Sequence, residues 1–126
     1  MGPVRLVSVV DDDESARLAT KNLVRSLGWP TCTFDSAQSY LQWLSTVRAD
    51  ETGCLISDVR MPGMSGIEMF DRLRALGAAP PTVFMTAFPT DALRAQVTAM
   101  GALALLEKPV DGAVFEYHLK RVLGSA

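Results

Sequence analysis

The sequence lacks a strong excess of charge of either sign, and it lacks any hydrophobic run long enough to cross a membrane. Its 12 basic and 14 acidic residues give a net charge of -2, so there is no electrostatic reason to expect direct nucleic-acid binding. No apolar run approaches the roughly 20 residues of a membrane-spanning helix. The run at residues 4–10 is too short for a signal peptide and leads directly into three aspartates. We therefore expect a cytoplasmic protein without membrane contact.

Cysteine and histidine are equally scarce. The 2 cysteines, Cys32 and Cys54, lie in apolar, strand-like runs without metal-ligand spacing, which predicts buried, reduced thiols. The only histidine, His118, falls late in the last predicted helix, and we interpret it as a surface or interface residue. With 126 residues, 48% of them apolar and 21% charged, the chain is typical of one globular domain over residues 1–126.

Short apolar runs alternate with amphipathic segments along the whole chain. The predicted strands cover residues 4–10, 31–34, 54–58, 82–86 and 102–106. The predicted helices cover residues 14–27, 37–47, 66–76, 91–100 and 112–123, with a polar turn at 49–53. Ser36, Ser65, Thr90 and Asp111 are the predicted helix caps. Five strands alternating with five helices predict an α/β fold with a parallel sheet covered on both faces.

The number of strands also predicts their order. Of the two common doubly wound arrangements, five strands favour the flavodoxin-like order 2-1-3-4-5. In that order the first and third strands are neighbours. The carboxyl ends of parallel strands meet at one edge of the sheet, where open α/β sheets bind their ligands.

Polar residues stand at the carboxyl ends of four predicted strands. Asp11, Asp12 and Asp13 follow the first strand, Asp58 ends the third, Thr86 ends the fourth, and Lys108 follows the fifth. Each signal taken alone has an ordinary structural interpretation, since acids before a helix also suit its N-terminus. Their joint placement at successive strand ends predicts a functional site.

The chemistry of this set favours phosphoryl transfer. Three carboxylates held close together repel one another, and a hard cation with oxygen ligands, Mg²⁺, resolves that repulsion. Lys108 adds a positive charge and Thr86 a hydroxyl group. The metal and the lysine would neutralise phosphoryl oxygens while Asp58 attacks in line.

The residues that carry this chemistry resemble the receiver domains of two-component response regulators, over essentially the whole chain. The matching motifs are Val9-Val10-Asp11-Asp12-Asp13, Asp58 with Met61-Pro62-Gly63-Met64 and Gly66, Met85-Thr86-Ala87, and Glu107-Lys108-Pro109. The resemblance is closest to the subfamily that carries a helix-turn-helix output domain. Because the chain stops at Ala126, we expect no output domain in it.

The resemblance implies roles for individual residues. The implied Mg²⁺ ligands are Asp11, Asp12, Asp58 and the backbone carbonyl of Arg60. Asp58 becomes the phosphoacceptor, and Thr86 and Lys108 contact the phosphoryl group. Asp13 lies outside the acidic pair and is assigned to the start of the first helix. The Lys108–Pro109 bond is expected to be cis, as is usual in the family.

The resemblance also implies partners. A sensor histidine kinase would supply the phosphoryl group, and the domain itself would perform only slow self-phosphorylation and autodephosphorylation. Phosphorylation is expected to switch a surface of the fourth helix, fifth strand and fifth helix and to promote homodimerisation, with Val97, Phe115 and His118 as contacts. Leu105 stands where many receivers have an aromatic switch residue, so the readout is expected from loop and helix repacking.

Two other functions fit parts of the sequence. Asp11-Asp12-Asp13 after an apolar strand also resembles the nucleophile motif of haloacid-dehalogenase-like phosphatases, with Asp11 as nucleophile. That alternative leaves Asp58 without a role. A constitutive interaction domain that has lost phosphorylation is a third alternative, against which the complete set of polar residues argues.

Overall fold

The computed structural model describes residues 6–46 and 52–124. Its strands are β1 (Leu6–Val10), β2 (Thr31–Phe34), β3 (Thr52–Asp58), β4 (Thr82–Thr86) and β5 (Ala104–Glu107). Its helices are α1 (Glu14–Ser26), α2 (Ala37–Leu44), α3 (Gly66–Ala75), α4 (Asp91–Ala99) and α5 (Gly112–Leu123). Strands and helices alternate along the chain, as the sequence predicts.

The five strands form one parallel sheet in the order β2-β1-β3-β4-β5. The predicted fold and strand order are therefore confirmed. One core cluster packs α1 and α5 on one face, with Val24, Phe115 and Leu119 against strand residues. Two clusters on the other face hold α2, α3 and α4. Coverage of both faces explains why the strands are almost continuously apolar.

Polar side chains begin the helices at the predicted positions. The side chains of Ser36, Ser65, Thr90 and Asp111 each accept a backbone N–H from the first turn that follows. Asp13 caps α1 in the same way, which confirms its assignment to the helix start. Several predicted helix ends are one residue too long, because Leu27, Leu76 and Met100 are C-caps.

The beginnings of two strands differ from the prediction. β3 begins at Thr52, so residues 52 and 53 are strand and the predicted turn is wrong there; residues 49–51 lie outside the described residues. The Thr52 hydroxyl is buried and lies 3.2 Å from both the Ser8 and the Tyr40 hydroxyl oxygens. These partners let a polar residue enter the strand. β5 begins at Ala104, two residues later than predicted.

Candidate phosphoryl-acceptor site

The carboxyl ends of four strands bring the predicted site residues to one edge of the sheet. Asp58 is the last residue of β3 and Thr86 the last of β4, while Asp11 directly follows β1 and Lys108 directly follows β5. Asp11, Asp58 and Thr86 are buried. Because β1 lies beside β3, Asp11 and Asp12 lie close to Asp58 although they are distant from it in sequence.

The turn between β1 and α1 fixes Asp11 from several directions. The Asp11 N–H donates to the Phe34 carbonyl at 3.1 Å, and its Oδ1 accepts the Asp13 N–H at 3.0 Å. The guanidinium of Arg17 on α1 donates to the Asp11 carbonyl at 2.9 Å. Asp11 is thereby held inside the site. Arg17 could not be identified from the sequence, because its six-residue separation from Asp11 matches no motif.

Gly66 at the start of α3 allows the chain to turn closely around Asp58. Its N–H donates to the Val59 carbonyl at 3.0 Å. A Cβ atom at this position would collide with the Asp58 carbonyl oxygen and would lie 2.8 Å from the Ser57 hydroxyl. Only glycine fits here without displacing the end of β3.

Lys108 joins two of the acidic residues. Its Nζ lies 2.9 Å from Asp11 Oδ2 and 3.0 Å from Asp58 Oδ2. One ammonium group therefore balances two buried carboxylates at once. The Lys108–Pro109 peptide bond is cis, as the resemblance implies. The sequence placed Lys108 at this edge but did not predict that it bridges Asp11 and Asp58.

Burial and charge together set the protonation of the site. Burial raises the pKa of Asp58, and the Asp11 charge adds to the effect, although hydrogen bonds from Lys108 and the Arg60 N–H oppose it. For Lys108, burial alone would lower the pKa. The hydrogen bonds and charges of Asp11 and Asp58 outweigh that effect and raise the lysine pKa. The ammonium form is therefore favoured between the two carboxylates.

The acidic cluster has the composition of a hard-cation site. Carboxylate oxygens of Asp11, Asp12 and Asp58 all lie within 4.8 Å of one another. Asp11 and Asp58 are buried and Asp12 is exposed, so the cluster opens to solvent on one side. An all-oxygen set of few ligands, open to water, fits Mg²⁺, which retains several waters. Arg60 lies beside this cluster, and its N–H donates to the Asp58 side chain.

Thr86 links the site to the loop before α4. Its Oγ1 accepts the Phe88 N–H at 3.2 Å, which leaves the hydroxyl proton available to a group bound in the site. The Phe88 side chain is 74% exposed on this loop. This hydrogen bond ties the Thr86 side chain to the backbone of the loop ahead of α4.

The geometry does not favour the phosphatase alternative. Asp58, which has no role in that alternative, occupies the same cluster.

None of the helices in residues 6–46 and 52–124 combines the length and the apolar character needed to span a bilayer.

Comparisons with known proteins agree with this geometry. Residues 7–120 match the family described as the response regulator receiver domain. The chain is 36% identical over 105 residues to the transcriptional regulatory protein FixJ of Bradyrhizobium diazoefficiens, covering 83% of this chain and 50% of that protein. It is 34% identical over 104 residues to the response regulator protein TodT of Pseudomonas putida F1, covering 82% and 44%. The chain thus spans about half the length of these relatives.

Solved structures show the same relationship. A response regulator receiver protein from Burkholderia phymatum superposes with a TM-score of 0.83 at 39% identity, covering 97% of each chain. The chemotaxis protein CheY4 of Vibrio cholerae superposes with a TM-score of 0.83 at 26% identity, covering 95% of this chain and 99% of that one. The family resemblance found in the sequence motifs is confirmed. The chain belongs to the receiver domains of response regulators, which serve as signalling domains in two-component systems.

Proposed function

We propose that this domain accepts a phosphoryl group on Asp58 from a sensor histidine kinase. The observation that carries the proposal is the position of Lys108, whose ammonium lies within 3.0 Å of both Asp11 and Asp58 inside a cluster of three carboxylates. A buried nucleophilic carboxylate, a cation beside it and an oxygen-only metal site are the parts that phosphoryl transfer requires.

Different residues of this chain have different roles in the transfer. An Asp58 oxygen attacks the phosphorus atom, and the bond from phosphorus to the donor histidine nitrogen breaks with its electron pair staying on nitrogen. Lys108 and the Thr86 hydroxyl donate to the equatorial phosphoryl oxygens. Asp11, Asp12, Asp58 and the carbonyl of Arg60 would hold Mg²⁺. When bound, the metal ion supplies positive charge that offsets the negative charge of the phosphoryl group.

The aspartyl phosphate then changes the surface beyond the site. Thr86 moves towards the phosphoryl oxygen and draws the Phe88 backbone with it, because their present hydrogen bond ties the two together. The result is a repacking of α4 against β5 and α5, which promotes homodimerisation. Two of the contacts expected from the sequence, Val97 and Phe115, are buried in the core, so that expectation was wrong. His118 is partly buried.

Mass spectrometry tests the phosphoacceptor. The wild-type domain with acetyl phosphate and Mg²⁺ should gain one phosphoryl group, and Asp58→Asn should gain none. Asp71→Asn is the matched control, because Asp71 is an exposed aspartate on α3 and should not affect labelling. Substantial labelling of Asp58→Asn would refute the assignment.

Sedimentation tests the dimer. With beryllofluoride, a phosphoryl mimic, and Mg²⁺, the domain should shift from monomer towards dimer, and Thr86→Ala should weaken the shift. A monomer at high concentration under both conditions would refute dimerisation and leave the phosphoacceptor assignment intact.

A further inference from the structure

Strand β5 lies at the open edge of the sheet, and one of its carbonyl groups points away from the sheet. Among the described residues β5 pairs with β4 alone. The Lys108 N–H donates to the Thr86 carbonyl at 2.9 Å, so the backbone hydrogen-bonding groups of Lys108 point towards β4. Because alternate residues of a parallel strand bond to the same neighbour, the backbone of Leu105 faces the opposite way. Its carbonyl therefore needs a partner from outside the sheet.

That partner is an arginine of α4. Arg94 Nη1 donates to the Leu105 carbonyl at 2.9 Å. Arg94 belongs to the first turns of the helix, where its own N–H donates to the Thr90 carbonyl at 2.9 Å. The Leu105 side chain is only 3% exposed and packs in the cluster with Phe84 and Val97. Because that aliphatic side chain is enclosed, the polar link between α4 and β5 runs through the Leu105 backbone and Arg94.

The Arg94–Leu105 hydrogen bond joins the helix that follows Thr86 to the strand that precedes Lys108, the two residues expected to contact the phosphoryl group. Thr86 begins the loop that leads into α4, and its Oγ1 holds the Phe88 N–H at 3.2 Å. Lys108 follows β5, three residues beyond Leu105. A movement of Thr86 displaces the start of α4, whereas β5 stays paired with β4 over four residues. The Arg94–Leu105 hydrogen bond is therefore a contact that a displacement of α4 relative to the sheet would stretch.

We propose that the Arg94–Leu105 hydrogen bond is a latch that holds α4 against the sheet edge in the unphosphorylated domain and opens on phosphorylation of Asp58. This inference rests on the proposed function and specifies how the signal leaves the site. Opening the latch frees the Arg94 guanidinium and the outward carbonyl of Leu105 at the sheet edge. Both become available to the dimer partner on the surface formed by α4 and β5.

Nuclear magnetic resonance of the labelled domain tests the latch. The carbonyl-carbon resonance of Leu105 reports the hydrogen bond, and the Arg60 amide reports filling of the site by beryllofluoride and Mg²⁺. In the wild type, beryllofluoride should move both resonances. Arg94→Met should move the Leu105 resonance in the same direction without beryllofluoride, and adding beryllofluoride should then change it little while the Arg60 amide still responds.

Hydrogen exchange gives a second readout. Losing one hydrogen bond of this kind predicts about two- to tenfold faster exchange of α4 amides in Arg94→Met. Arg94→Lys keeps the charge but loses the fork-shaped donor, so it should show a smaller increase. Arg72→Met is the matched control, because Arg72 is an exposed arginine on α3, and its replacement should leave α4 exchange unchanged.

Separate outcomes identify what fails. If the Arg60 amide responds to beryllofluoride but the wild-type Leu105 carbonyl does not, the latch is refuted and the proposed function stands. The latch is likewise refuted if Arg94→Met leaves both the Leu105 resonance and α4 exchange unchanged. If neither reporter responds in the wild type, the phosphoryl-acceptor function is refuted, and the latch with it.

Discussion

The Nζ atom of Lys108 lies 3.0 Å from Oδ2 of Asp58, although fifty positions separate the two residues in the chain. The same ammonium lies 2.9 Å from Asp11, so one side chain neutralises the ends of two neighbouring strands. This arrangement lets two buried carboxylates remain close together before any phosphoryl group or metal ion arrives. It also makes Lys108 a determinant of folding stability, in addition to its proposed role as a contact for the phosphoryl group.

Replacing Lys108 should destabilise the domain. Breaking a buried ion pair costs about 3–5 kcal/mol. Because the Lys108 side chain is 21% exposed, we expect Lys108→Met to lower the free energy of unfolding, measured in urea, by about 2 kcal/mol. Its pKa is raised in the fold, so its contribution is complete below about pH 10.4 and is lost as the pH rises through the folded value. Measurement at neutral pH therefore captures all of it.

Lys120→Met is the control for that experiment. Lys120 and Glu116 form an exposed pair at 3.9 Å, and such pairs contribute at most about 1 kcal/mol. Equal losses in the two variants would contradict a special role for Lys108 in stabilising the fold.

Replacing Asp12 should stabilise the metal-free domain and weaken its binding of Mg²⁺. Its carboxylate repels Asp11 and Asp58, so Asp12→Ala should unfold at a higher temperature than the wild type in EDTA. It should also gain less from Mg²⁺, which stabilises a native site by about 2.7 kcal/mol at one hundred times its Kd. Calorimetry with and without Mg²⁺ measures both effects.

Asp71→Ala removes an exposed carboxylate on α3 and should leave the Mg²⁺ response unchanged. If Asp11→Ala and Asp12→Ala both keep the full Mg²⁺ stabilisation, the metal does not bind at this cluster.

The stability of the metal-free domain should depend on pH through Asp58. Burial raises the pKa of Asp58 above its unfolded value, so the ionised carboxylate weakens the native state at neutral pH. Lowering the pH through the folded pKa towards the unfolded value of about 3.9 removes that cost. The wild type should therefore gain stability relative to Asp58→Asn as the pH falls. Urea unfolding of both proteins across this pH range measures their free energies of unfolding. A difference between the two free energies that does not change with pH would contradict the raised pKa of Asp58.

Substituting Gly66 should displace the backbone of Asp58 and thereby disturb the site. The Cβ of Gly66→Ala would collide with the Asp58 carbonyl oxygen, and overpacking of this kind costs about 1–3 kcal/mol. Labelling of Asp58 by acetyl phosphate should slow, because the end of β3 has to move. Gly77→Ala is the control: a Cβ there meets no atom within 4 Å, although its φ of +68° adds backbone strain. Similar slowing of labelling in both variants would argue against displacement of Asp58.

Local patterns in the sequence determined most of the fold. Short apolar runs, polar helix caps and glycines after the helices follow from spacing and residue type, and five alternating units leave few possible topologies. The strand ends could therefore be predicted, with Asp11, Asp58, Thr86 and Lys108 at one edge. The start of β3 was not predictable, because Thr52 enters the strand through hydroxyl groups of Ser8 and Tyr40, which are remote in sequence.

Only the tertiary structure decided how the side chains of the site meet. Three sets of hydrogen bonds join different elements of the fold. They run from Lys108 to Asp11 and Asp58, from Arg17 to the Asp11 carbonyl, and from Arg94 to the Leu105 carbonyl. Long, flexible cations reach partners that depend on how helices pack against the sheet, and no local pattern encodes that packing. The sequence alone determined which groups gather at the sheet edge, whereas packing determined which carboxylate and carbonyl oxygens each cation binds.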